Sequence, residues 1–537
     1  MRRRRLKHSF GTVPTVSMRR SKFSLSHSVK TSMTVGKLYP IDLIEVLPGD
    51  TFDTRDTHVP RLTSSYIKPV MDNCFLDIYH FFVPNRLVYD KWENVMGQND
   101  DSPWAPSFMP EVPVTKTKGK VVSKSIADYM GLPIGDVPAG INILPFRAFA
   151  LIYDQWFRNE NTIDPIHVQK GAIAASEMFN GNEFAPNQYM GMPPQVGKVK
   201  DYFTSCLPSP QKGDPVQVGL SGNAPLVGSA PVHGDVQVAS SPTAPTSPLY
   251  FNHSSDAPSQ LGISGNGQAV FGGDFAPGVL TPADVRLYGN LFKASADLDA
   301  VYADLSQVNA STVNDLRLAF ALQKMLEKDA RYGTRYREFL LGHFGVVNPD
   351  ARLQVPEYLG GSRTPLAVQQ VAQTNSQAPD ASGEVDSPLG SLAGFSLSLG
   401  HSRYVKSFTE HGFIITCACI RYKHTYQQGI EKFWTRKKRE DYYDPLFANL
   451  GEQPVYASEL YAKGQDSLHG DIFGYQEFAA DYRFRPNRVT GEMRTDAENS
   501  LDVWHFADEY ANTPVLSGFT NETAAFFDRT VSVESSK

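Results

Sequence analysis

The chain has 537 residues, 41% hydrophobic and 20% charged, with a net charge of −6; this is the composition of a folded chain rather than a disordered one. No apolar run reaches the roughly 18 residues that cross a bilayer. The opening Met1-Arg2-Arg3-Arg4-Arg5 lacks the apolar segment of a secretory signal, so the expectation is a protein made and kept in a cytoplasm.

Net charge hides an asymmetry. Ten Lys or Arg and no Asp or Glu precede Asp42, which leaves −16 for the rest of the chain. Residues 1–37 read as a basic arm rich in Ser and Thr: a solvated tail, a leader that is lost, or a segment that binds polyanion. Arg2, Arg3, Arg4, Arg5, Lys7, Arg19, Arg20 and Lys22 are its candidate phosphate ligands. If all ten charges met single-stranded phosphates, log affinity would fall with log salt at a slope of about −7.

From Ile41 to Leu47 the chain reads as a strand closed by the turn Pro48-Gly49-Asp50. Cys74 to Val83, bounded by Pro69 and Pro84, is a second well-covered strand, and His80 within it is expected to be a satisfied core histidine. A short amphipathic segment follows with Leu87, Val88, Trp92 and Val95. Leu144 to Asn159 is the clearest early helix: Pro145 suits its first turn, and Phe146, Phe149, Ala150, Tyr153, Trp156 and Phe157 form one apolar stripe.

Composition changes at 207–280, where roughly two-fifths of residues are Gly, Pro or Ser and five are charged. Short β-like pieces (Val216–Val218, Val236–Val238, Leu249–Phe251, Ala269–Phe271) point to an excursion that orders against copies of itself or a partner, rather than a plain linker. Helix returns from Leu316 to Ala330, capped by Ser311 or Thr312 and ended by Gly333, with another turn or two from Thr334 through Leu341. Residues 372–390 are a second polar, turn-rich stretch.

The run Phe413 to Ile420 is apolar or small and rich in β-branched residues, so it reads as a strand covered on both faces. Polar residues resume at Arg421, where the strand is expected to emerge toward a surface. Cys417 and Cys419, with Cys74 and Cys206 elsewhere, are too few and too far from suitable partners for a disulfide framework or metal site, and read as small core residues. Beyond the strand, Phe433 to Tyr443 interleaves basic and aromatic residues. Arg436, Lys437, Lys438 and Arg439, beside Trp434, Tyr442 and Tyr443, could stack on and pair with single-stranded DNA, or meet the acidic surface of a neighbouring copy. Pro454–Tyr461 and Ile472–Phe484 supply further β-like runs.

Catalytic motifs are missing. No phosphate loop is present, since Gly197-Lys198 is followed by Val199 where Ser or Thr is required, and Gly265-Asn266-Gly267 lacks a third glycine. Neither His-Glu-x-x-His nor Gly-x-Ser-x-Gly occurs. Nothing here calls for an enzyme, a metal or a cofactor.

An ordered series of stretches resembles the major capsid proteins of microviruses, single-stranded DNA phages, in their gokushovirus branch. The series includes Leu47-Pro48-Gly49-Asp50-Thr51-Phe52, Phe81-Phe82-Val83-Pro84-Asn85-Arg86-Leu87, Leu144-Pro145-Phe146-Arg147-Ala148 and Trp156-Phe157-Arg158-Asn159-Glu160. It continues through Glu327-Lys328-Asp329-Ala330-Arg331, Pro356-Glu357-Tyr358-Leu359-Gly360-Gly361, Thr425-Tyr426-Gln427-Gln428-Gly429 and Trp504-His505-Phe506-Ala507. The resemblance implies a mainly β fold: a single eight-stranded viral jelly-roll β-sandwich with very long inter-strand loops, a few helices and a large inserted loop. The corresponding division is a basic arm at 1–37, the first part of the jelly roll at 38–200 with helix 144–159, an insertion at 201–285, and the second part at 286–537 with helices near 312–341.

Functionally, it implies a virion protein that self-assembles into a T=1 icosahedral shell around circular single-stranded DNA, in a host bacterial cytoplasm. The 207–280 loop would form a three-fold surface protrusion that meets a host cell-surface receptor. Further implied partners are a small basic DNA-packaging protein, a minor or pilot protein, and scaffolding proteins. The insertion itself has no match to the family pattern, so no receptor-contacting residue is assigned. The competing reading is a carbohydrate-binding or carbohydrate-active β-sandwich, which leaves the basic arm and the ordered motif series without an explanation.

Overall fold

The computed structural model describes residues 20–62, 65–98, 110–171, 178–216, 313–332, 334–374, 389–447 and 450–531, with six short strands between 226 and 303. Among these residues the chain is mainly β with few helices. It divides into two compact units, residues 1–214 with 324–537, and residues 215–323.

The first unit is organised on four strands: β1 (Tyr39–Val46), β3 (Cys74–Pro84), β4 (Glu357–Pro365) and β6 (Gly412–Tyr422). They form one antiparallel sheet in the order β1-β6-β3-β4. The last of these four in sequence, β6, thus lies between β1 and β3. Register places Ile415 opposite both Leu43 and Phe81, and Cys417 opposite Tyr79. A separate antiparallel pair joins β2 (Thr51–His58) to β5 (Gly400–Ser407), with Thr54 opposite Tyr404.

Strand β6 is central because alternation gives it two apolar faces. Phe413, Ile415, Cys417 and Cys419 join Phe81 and Val83 in the largest core, against helix α1 (Leu144–Ile152). On the opposite face Ile414 packs with Phe82, Val46, Tyr404 and Phe408, so β5 and its flanking turn cover that side. Farther along, Ala418 meets Leu76 and Ile78. Full burial of each large aliphatic or aromatic side chain contributes about 1.5–3 kcal/mol, which is why this run stays a strand although few of its residues are polar enough to mark an edge.

His80 is a satisfied core residue. It is fully buried, with one ring nitrogen 3.0 Å from Thr416 Oγ1 and the other 2.9 Å from Ser402 Oγ, and burial lowers its pKa. The cysteines are free and buried. Burial pushes the Cys419 thiol up to about 12.

Helix α1 begins with Pro145 in its first turn, and Phe146, Phe149, Ala150 and Tyr153 are buried as their spacing predicts. The α-helix stops at Ile152, however, and Tyr153–Phe157 forms a π turn in which Arg158 N–H donates to the Tyr153 carbonyl. The wider turn sets Trp156 and Phe157 half-buried against the same core. Helix α2 (Val313–Tyr332) and helix α3 (Tyr336–Phe344) fall where helix was expected; the proposed caps at 311–312 and 333 lie outside the described residues.

Two expected β runs are shorter than their apolar patterns. Gln453–Tyr456 pairs with Ile472–Gln476, but Ala457–Glu459 and Ala480–Arg483 turn into 3-10 helix. Glu459 closes the first turn by accepting from Tyr456 N–H at 3.1 Å, and Ala479 at φ +58° reverses the chain before the second.

In the second unit, Leu226–Val227 pairs with Tyr302–Ala303, Val236–Val238 with Ser247–Leu249, and Gly262–Ile263 with Ala269–Val270, all antiparallel. Val236–Val238 and Ala269–Val270 are strands as expected. Gln217, Val218, Tyr250, Phe251 and Phe271 lie outside the described residues, as do 375–388 of the second polar stretch.

Candidate nucleic-acid interface

Of the basic arm, Arg2, Arg3, Arg4, Arg5, Lys7 and Arg19 lie outside the described residues. Arg20 and Lys22 are exposed on an extended segment. That segment is held to β1 by His27, whose Nε2 lies 3.2 Å from Asp42, and to the short helix Ile126–Tyr129 by Ser32, whose carbonyl accepts from Tyr129 Oη at 2.7 Å.

The Arg436–Arg439 run follows a 3-10 turn at Lys432–Thr435. Its four cations do not behave alike. Arg436 is withdrawn from solvent: it pairs with Asp481 and its guanidinium lies 4.2 Å over the Tyr482 ring. Lys437, Lys438 and Arg439 keep their side chains exposed. Backbone N–H groups of Lys437 and Lys438 donate to Asp441 at 2.7 and 2.8 Å, which fixes the turn and holds the Asp441 carboxyl below its usual range. Beside them Trp434 is 70% exposed, with its ring centroid 4.8 Å from that of Phe433; Tyr442 and Tyr443 are also exposed. Cationic side chains flanked by open ring faces can meet phosphate and base together. Next to this patch lies a cleft of about 780 Å³, whose walls include Trp434, Arg436, Tyr482, Phe484, Arg488 and Arg494.

The end of β6 corrects a sequence expectation. Polar residues resume at Arg421, yet the chain does not emerge there. Arg421 is largely buried, and His424 to Gln428 are buried outright. Charge is accommodated by pairing rather than by water. Asp77 accepts from Arg363 at 2.6 Å and from Arg421 at 2.6 Å; although burial opposes it, these guanidiniums hold its carboxyl below the usual range. One turn of chain farther, His424 sits between Asp508 at 2.7 Å and Glu522 at 3.1 Å, and Lys198 reaches Asp508 at 3.1 Å. Burial disfavours the imidazolium, but the two carboxylates outweigh it and raise His424 to about 9.

Sequence reasoning did not find a second basic region, a cavity of about 330 Å³ in the first unit. Arg158, Lys198, Lys200, Arg335, Arg337, Arg363 and Arg421 line it, against the carboxylates Glu160 and Glu338. These residues come from five separate stretches of chain, so no local run marked them.

The described residues hold no group of His, Cys, Asp and Glu arranged for a metal ion, and no helix among them is long and apolar enough to cross a membrane.

Comparison with known proteins places the chain. The phage family described as capsid protein (F protein) matches residues 11–537. The chain is 36% identical to capsid protein VP1 of Chlamydia phage 1, over 98% of this chain and 93% of that protein. It is 38% identical to capsid protein VP1 of Bdellovibrio phage phiMH2K, over 95% and 89%. With capsid protein VP1 of Spiroplasma virus 4 the identity is 37%, over 98% and 92%.

Proposed function

The chain belongs to the phage capsid protein (F protein) family, and from that membership we propose that its copies close into a T=1 icosahedral shell around circular single-stranded DNA. The protein is structural rather than enzymatic, and its place is the virion. The observation that carries the reading is the family match across residues 11–537. Near-complete coverage of three phage capsid proteins supports it.

Topology supports the finer fold. A sheet whose last strand, β6, lies beside its first, β1, is what a Greek-key chain produces when its end returns beside its beginning. Facing β2 and β5 across the Ile414 layer, it fits one half of an eight-stranded jelly roll. In this reading 38–200 and 286–537 build the shell domain, and the arm 1–37 faces the genome. The 201–285 insertion rises as a three-fold protrusion and meets the host receptor.

The DNA-binding part rests on charge. Arg20 and Lys22, and Lys437, Lys438 and Arg439 beside open aromatic rings, supply cations with no ion pair among the described residues, and the sequence of the arm adds Arg2 to Arg5, Lys7 and Arg19. A small basic packaging protein, a pilot protein and scaffolding proteins complete the proposed set of partners.

Electron cryomicroscopy of particles from cells expressing the phage gene set tests the whole reading. Closed shells of 60 copies, about the number a T=1 lattice requires, with density for 201–285 on the three-fold axes, are expected. A protein that stays monomeric with every phage gene present would overturn it.

A further inference from the structure

The recessed cavity carries more cation than its own surroundings neutralise. Asp77 alone serves both Arg363 and Arg421, using Nε and Nη2 of each. Arg158 is matched by Asp154 at 2.7 Å, and Lys198 by Asp508 at 3.1 Å. Arg337 reaches Asp350 only at 3.9 Å, beyond hydrogen-bond distance, and its guanidinium lies 4.1 Å over the Trp156 ring. Lys200 is exposed, with no ion pair among the described residues. Arg335 is shared by Glu160 at 3.0 Å, Glu338 at 3.4 Å and the carbonyls of Asp154 and Arg158, yet its Nε is buried with no acceptor. A buried donor without an acceptor costs free energy unless something fills the gap. Like charges gathered in a recess also repel unless an anion joins them.

We propose that this cavity is a phosphate site, and that its occupant is a phosphodiester of single-stranded DNA. Lys200 and the free edges of Arg337, Arg363 and Arg421 would donate to the phosphate oxygens, with Arg335 fixed behind them. Guanidiniums held in place by carboxylates present their remaining N–H groups in a preset fork, the geometry that phosphate oxygens accept. Trp156 and Phe157 give the same cavity an aromatic wall, which suits the sugar and base next to that phosphate. Choosing DNA over free phosphate rests on the capsid reading above; the phosphate chemistry does not.

The test uses the full-length protein with two probes, orthophosphate by isothermal titration and a fluorescein-labelled twelve-nucleotide thymidine strand by anisotropy. Variants are Lys200→Glu, Lys200→Arg and Arg337→Gln, each checked by thermal melting. The expected result is at least a tenfold loss of orthophosphate affinity in Lys200→Glu and Arg337→Gln, with Lys200→Arg close to wild type. The oligonucleotide should weaken severalfold in the same two variants, and its salt slope should fall by about 0.7 for each phosphate that goes unneutralised. Unchanged affinity for both probes in Lys200→Glu and Arg337→Gln would overturn the site. Loss of orthophosphate with oligonucleotide binding intact would keep the phosphate site and overturn DNA as its occupant. If neither probe binds wild type but Lys200→Glu blocks shell closure, the cavity is an intersubunit contact and the proposal fails. Failure of the capsid reading would show separately, as absence of shells from wild type.

Discussion

Two basic regions of this protein solve the same electrostatic problem in different ways. The Arg436–Arg439 run keeps three of its four cations in water and ties down one, Arg436, through Asp481 and Tyr482. The recessed cavity instead gathers its cations from distant stretches and fixes most of them with carboxylates. Solvated cations are cheap to hold and easily screened, since exposed charges more than about 10 Å apart barely interact at 0.1 M salt. Recessed cations are screened less, but each needs a partner, so the folding free energy and the charge arrangement become one problem. Removing charge should therefore alter stability in the cavity and leave it nearly unchanged on the surface.

Asp77 is where that contrast breaks most visibly. It is buried and holds two guanidiniums from strands β4 and β6. Asp77→Ala leaves Arg421 unpaired in a largely buried setting and is expected to cost about 3–5 kcal/mol. Chemical denaturation of the purified variant would show it as a large drop in midpoint; a shift near zero would mean that water reaches the pair freely.

The network behind the cavity adds a pH dependence. His424 is raised from an unfolded value of 6.5 to about 9 by Asp508 and Glu522. Because the folded value is the higher one, the stabilisation is complete below pH 6.5 and is lost as pH rises through 9. The shift corresponds to roughly 3 kcal/mol. Burial opposes the Asp508 carboxylate, but Lys198 and His424 outweigh it and hold the carboxyl below its usual value, so it contributes in the opposite sense, above its unfolded value. Denaturation midpoints should fall between pH 6.5 and 9.5 for wild type and stay nearly level for His424→Gln. A steep fall in the variant would assign the alkaline loss to other groups.

The same difference explains what the sequence disclosed. Cys74–Pro84 and Gly412–Tyr422 were legible because burial on both faces leaves an apolar run of strand length, and α1 because its stripe repeats at helical spacing. Partners across the sheet were not legible: nothing near Asp77 in sequence announces Arg363 or Arg421. For the same reason the polar residues from Arg421 onward read as an exit to solvent, when the partner of Arg421 stands at 77 and those of His424 at 508 and 522. Arg436–Arg439 could be singled out because it is contiguous, but which of the four would be consumed depends on Asp481, 45 residues away in the chain. The cavity has no contiguous signature at all.

Within the surface run, the two kinds of cation can be separated directly. Arg436→Ala removes an ion pair that is nearly closed to solvent together with a ring contact, and is expected to cost about 2 kcal/mol. Thermal melting compared with Asp481→Ala and the double variant would give the coupling, and additive losses would show that the two side chains do not act as a pair.

The smallest stability effect is expected for Lys437→Ala, Lys438→Ala and Arg439→Ala combined. Their side chains are exposed, and the turn is held by backbone N–H groups that alanine retains, so each change should stay within about 0.5 kcal/mol. Binding is where the triple variant should differ. If all three cations meet single-stranded phosphates, the slope of log affinity against log salt falls in magnitude by about 2. Oligonucleotide anisotropy between 50 and 300 mM salt (about the range where such slopes are resolved) measures it. An unchanged slope with unchanged melting would take these three cations off the nucleic-acid surface and leave contact with an acidic neighbouring copy as their role, because cations this exposed and this closely spaced are not needed to hold the fold.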